Sequence, residues 1–133
     1  MSDMTRILAG ILLLSLVTVE SGGIYLVRLA RGAAPATSFQ LSFARAGHAH
    51  AGVLLILSLT ALLYADAVRL AEPWGWLSRV GVPAAALLMP AGFFFSSMGK
   101  GRATPNAFIL LIYTGAIVLA AGLASLGIGL LAA

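Results

Sequence analysis

The sequence predicts an all-α fold, an integral membrane four-helix up-down bundle, and three observations carry that reading. Of 133 residues, 61% are hydrophobic and only 9% charged, with a mean hydropathy of +1.05. A soluble domain cannot hide that much apolar surface behind so few charges. The apolar residues fall into four stretches, each close to the roughly 20 residues that a bilayer crossing needs. Short connections between them make consecutive helices antiparallel neighbours. At this length a single membrane domain over residues 1–133 is expected.

The first span runs from about Ile7 to Leu29, with Arg6 before it and Arg28 and Arg31 at its end. It is too long, and too polar in its second half, to read as a signal peptide. Pro35, Thr37 and Ser38 mark a break over Gly32–Gln40. The second span, about 47–64, carries both histidines at its mouth and ends near Tyr64. Asp66, Arg69 and Glu72 follow, and Pro73-Trp-Gly-Trp76 reads as a turn with two interfacial tryptophans. The third span, about 80–98, contains Pro83 and Pro90; after the turn Gly99–Pro105 the fourth covers about 106–130. That last span repeats small residues at helical spacing, Ala116, Ala120 and Ala124 on one stripe and Ala121, Ser125 and Gly129 on the next. Such stripes serve close packing within a protomer or between copies.

Charge and cysteine content narrow the classes. The net charge of +4 comes from eight basic residues scattered at helix ends, where lipid headgroups lie, rather than clustered in a stripe for nucleic acid. No cysteine is present, so neither a disulfide framework nor a thiolate metal site is available. Arg6, Arg69 and Arg79 fall on the side of the termini, and Arg28, Arg31, Arg45, Lys100 and Arg102 on the other. That split leaves the orientation open. A bacterial inner (cytoplasmic) membrane is the expected location.

Ionisable groups at membrane depth are expensive and read as functional by default. Phe43-Ala-Arg-Ala-Gly-His-Ala-His-Ala-Gly52 holds the only two histidines, His48 and His50, with Arg45 just before them. Small neighbours leave room beside the helix for something flat, and the stretch is read as a metal or haem site. Positions two apart on a helix point about 200° from one another, so both histidines cannot serve one iron from the same side. Gly52 lies one turn beyond His48 on its face. Hydrogen bonding at the interface and a His-x-His zinc or copper site are the other readings, with Glu20 and Asp66 as the plausible carboxylates. Glu20, inside the first span beside Thr18, Ser21, Gly22 and Gly23, reads either as an ion-pair partner of an arginine such as Arg45 or as a proton donor or acceptor in a pocket.

Phe43-Ala-Arg-Ala-Gly-His48 resembles the Trp-Ala-Arg-Ala-His segment of styrene oxide isomerases, whose histidine ligates haem b. Gly92-Phe-Phe-Phe-Ser96 and Pro105-Asn106 resemble the Gly-Phe-Tyr-Leu-Phe-Ser run and the later Gly-Pro-Asn of those enzymes. Ala49-His-Ala-Gly52 is similar to the Ala-His-x-x-Gly of the related hydroxylaminobenzene mutases. The resemblance implies a homotrimer of four-helix protomers with haem b at the subunit interface. It makes His48 the metal ligand with His50 as the alternative, since the register needs a one-residue gap. Arg45, and Arg28 or Arg31, are expected to pair with the haem propionates, because guanidinium geometry suits a carboxylate. Three departures stand out: Ala51 replaces an asparagine, Phe94 an active-site tyrosine and Ala86 an aspartate.

The expected function is therefore a haem-dependent membrane isomerase of a small apolar substrate such as an epoxide, with ferric iron as Lewis acid. Phe93, Phe94 and Phe95, with Glu20, are expected to line the substrate pocket. The alternative is a non-catalytic membrane haemoprotein, or a packing protein without cofactor.

Overall fold

Helix-forming apolar runs, punctuated by caps rather than by charge, give four helices in the computed structural model, which describes all 133 residues. α1 covers Asp3–Ala30, α2 Ser38–Val68, α3 Trp74–Ser97 and α4 Leu110–Ala132, the last entered through a 3-10 turn at Ala107–Ile109. All four are long and apolar enough to cross a membrane.

Capping explains where the helices depart from the expected bounds. Thr37 accepts a hydrogen bond from the Gln40 amide while the Gln40 side chain accepts from the Thr37 amide, a reciprocal capping box. It starts α2 at Ser38, nine residues before the apolar stretch at 47. The histidines therefore sit well inside the helix rather than at its mouth. The segment read as a tryptophan turn is instead the first turn of α3, where Glu72 Oε2 accepts from the Trp76 amide at 2.8 Å. Asn106 caps the 3-10 turn through the Phe108 amide and ties it back to α3 by donating to the Phe95 carbonyl, both at 2.9 Å.

Consecutive helices run antiparallel. Thr5, in the first turn of α1, reaches Asp66 near the end of α2, while Gly47 of α2 meets Phe93 and Phe94 at the far end of α3. α3 is the central element, packed broadly on α2 and α4, and α1 rests on α2 at the edge of the array. The α3–α4 seam is close because two glycines meet: a Cβ on Gly81 would lie 2.7 Å from the Gly122 Cα. Gly115, Gly122 and Ser125 of α4 are buried on this seam and Gly129 is buried under Leu70, while Ala116, Ala120 and Ala124 face outward.

Candidate functional site

The helical twist separates the two histidines as expected. His48 turns toward α1, where Gly22 and Gly23 make a seat for its ring. Added Cβ atoms there would lie 3.4 Å from the His48 Nδ1 and Cε1 respectively. Neither glycine carries a side chain to push the imidazole away, so the ring is wedged between two helices. His48 is a packing residue of the α1–α2 contact in this geometry.

His50 points the other way, toward α3. Its Nδ1 lies 2.8 Å from the Ala46 carbonyl, and its ring stands 4.8 Å from that of Phe93. A carbonyl can only accept, so Nδ1 carries the proton. In the neutral imidazole Nε2 then keeps its lone pair, pointing away from the backbone. This second-sphere arrangement commonly fixes a metal-binding histidine. The ring borders a shallow hollow of about 170 Å³ shared with Ala49, Val53 and Leu54. Of the two imidazoles, His50 alone has a ring nitrogen held by a hydrogen bond.

The remaining candidates are scattered. Glu20 lies on the outside of α1, exposed, with neither a hydrogen bond nor an ion pair to Arg45 or any other cation. The expected burial fails because the side of α1 that packs on α2 carries Leu8, Leu12, Leu16 and Val19, and Glu20 lies off it. Arg28, Arg31 and Arg45 are likewise exposed and share the loop end of α1 and α2. Gly52 has open space where a Cβ would stand.

The three phenylalanines do not line one pocket, because consecutive helix residues diverge by about 100°. Phe93 packs on His50 and, ring to ring at 5.4 Å, on Phe43. Phe95 turns outward to Phe108. Phe94 borders a separate cavity of about 310 Å³ between α1, α2 and the end of α3, with Tyr25, Leu29, Ala44 and Gln40. Tyr25 is the residue that sequence reasoning missed. It borders this cavity one helical turn before Leu29, and that spacing was the only signal in the sequence. Gln40 is not free to act, since its amide group donates to the Ser97 and Gly99 carbonyls.

No three His, Cys, Asp or Glu side chains converge, so the chain has no multi-ligand site of the zinc or copper kind. A haem needs only one axial imidazole, and His50 has the chemistry for it. The 170 Å³ hollow is too small to enclose a macrocycle, since drug-sized ligands occupy about 300–1,000 Å³. One imidazole is present beside the hollow, and one protomer does not close around a macrocycle. Comparison with known protein families, with curated proteins and with solved structures gives no match for this chain.

Proposed function

We propose that the chain is an integral membrane haem-b protein, acting as an isomerase on a small apolar substrate of epoxide type. Membrane insertion is supported by four helices of sufficient length and apolarity. The observation that carries the haem reading is the 2.8 Å contact of His50 Nδ1 with the Ala46 carbonyl, which leaves the Nε2 lone pair free to donate to a metal. When bound, the haem supplies a Lewis-acidic iron for the substrate oxygen. His50 would hold it, and Phe93 packs against the imidazole and fixes its ring.

Arg45 lies five residues toward the loop end, about 7.5 Å of helix rise, and its guanidinium is free for a propionate. Arg28 and Arg31 are available at the same end. Because the hollow beside His50 is open, a second and third copy of the chain would complete the enclosure, as the homotrimer implied by the resemblance does. Exposed apolar Val53 and Ile56 flank the hollow, so this face suits an apolar substrate drawn from the bilayer or a covering copy of the chain. A bacterial inner membrane is the proposed location.

A second reading, a haem protein without isomerase activity, is favoured by Phe94. It lacks the hydroxyl of the resembling tyrosine and borders a different cavity from His50. The deciding experiment is the absorption spectrum of the purified protein. A Soret band lost in His50→Ala and kept in His48→Ala supports the site. Absence of any Soret band after haem reconstitution removes both haem readings.

A further inference from the structure

We propose that the end of the bundle nearest the termini binds one phospholipid, its phosphate at Arg69 and one acyl chain in the groove between α3 and α4. This rests on the membrane reading alone and not on haem. Two hollows of opposite chemistry adjoin there, with Leu70 as their common wall. One, of about 390 Å³, is bordered by Asp66, Arg69, Glu72 and Arg79. The other, of about 530 Å³, is apolar and bordered by Trp74, Leu77, Ala121, Ala124 and Ile128. Leu70 is held in place because its methyls fill the space above Gly129, 2.6 Å from where a Cβ would stand.

The polar side has one cation without an ion pair, since the N-terminal amine and Arg79 both lie within 4 Å of the Asp66 carboxylate, while the Glu72 carboxylate makes no ion pair either. Asp66 accepts from the Ser2 amide, the Ser2 hydroxyl and the Thr5 hydroxyl. Glu72 accepts from the Trp76 amide, and Arg79 donates to the Gly75 and Ala65 carbonyls. The Arg69 side chain makes no ion pair and is exposed. Its backbone is left-handed, φ 50°, at a helix end where glycine is the usual residue. An arginine thus occupies a position whose backbone favours glycine.

The groove supplies the matching half. It follows α4 from Ala121 to Ala132, about 16 Å at the helix rise, which is close to one leaflet of a hydrocarbon core roughly 30 Å thick. Trp74, 60% exposed, forms its wall at the interfacial end. A free cation at the headgroup level, above an apolar trough one leaflet deep, matches an anionic phospholipid better than a second protein chain.

Trp74 reports on the site. The chain has two tryptophans, so a Trp76→Phe background leaves Trp74 alone. The full chain in detergent is titrated with phosphatidylglycerol brominated on its acyl chains, with brominated diacylglycerol, and with inorganic phosphate before the phospholipid. We expect saturable quenching by the phospholipid. Arg69→Gly, which suits the left-handed backbone, should weaken it roughly fivefold, the worth of one basic residue at an anionic surface. Ala124→Phe, at an exposed position, should fill the trough and abolish saturation. Inorganic phosphate alone should not compete at millimolar concentration, since it lacks the chain; competition would identify a phosphate site and overturn the lipid. Equal quenching by diacylglycerol, or unchanged curves in both variants with helical content retained, means annular lipid only and overturns the proposal. Release of the chain from membranes by alkaline carbonate would instead remove the membrane reading itself.

Discussion

The Thr5 hydroxyl donates a 2.8 Å hydrogen bond to the Asp66 carboxylate, joining the first turn of α1 to the end of α2. Thr5 is 1% exposed, so its hydroxyl cannot turn to water when Asp66 is lost, whereas Asp66 borders the open hollow and can. α1 rests on α2 at the edge of the array, and this contact, with the two from Ser2, clamps one end of it. A broken charged hydrogen bond with a buried partner costs about 1–3 kcal/mol. Asp66→Ala is expected to lower Tm in detergent by several degrees, and Thr5→Val by less, because Ser2 continues to bond the carboxylate. Equal Tm values for all three proteins would show that the clamp contributes nothing.

At the other end of the same helix pair, His48 occupies the seat formed by Gly22 and Gly23. Cβ contacts of 3.4 Å are ordinary, so alanine at either glycine is expected to be tolerated. Gly23→Leu must push the imidazole aside and should loosen α1, read as faster proteolysis of the α1–α2 loop. Combining it with His48→Ala should restore much of the loss, because the leucine then fills the vacated space. Additive losses in the double variant would argue against direct contact.

The topology is open to a clean labelling test, because the chain has no native cysteine. Single cysteines at Ser38 and Lys100 should react with an impermeant thiol reagent from one side of sealed vesicles, and one at Glu72 from the other. Each position is exposed at a helix end. Labelling of all three from one side contradicts a membrane-spanning up-down arrangement.

Hydropathy was enough to make the four helices legible, and the 100° step per residue was enough to oppose His48 and His50. The same step also separates Phe93, Phe94 and Phe95, but a run of identical residues invites reading as one pocket wall. The start of α2 was hidden behind Pro35, although Thr37 and Gln40 spell its capping box three residues apart. Glu20 was misplaced for a deeper reason. α1 is apolar nearly all round, with Leu13, Leu14 and Val17 exposed and Leu12 and Leu16 turned inward, so periodicity does not say which face packs. Nor does a glycine pair announce that a histidine will lie on it.

The chemistry is tested last, on protein reconstituted with haem b. Two groups that would orient an epoxide in the resembling isomerases are absent here: position 94 is phenylalanine and position 51 is alanine. Each lost oriented donor typically costs about 10²-fold or more in rate. Conversion of styrene oxide to phenylacetaldehyde is therefore expected to be weak, though above that of free haem in the same detergent. Restoring the hydroxyl by Phe94→Tyr should help little, by less than about tenfold, well short of what one oriented donor contributes. The reason is positional, since Phe94 borders the cavity shared with Tyr25 and Gln40, while His50 borders another. A gain of 10²-fold or more in Phe94→Tyr would instead show that the substrate reaches the Phe94 cavity while bound at the iron. If neither protein exceeds free haem while both keep the His50-dependent Soret band, the non-catalytic haem reading replaces the isomerase.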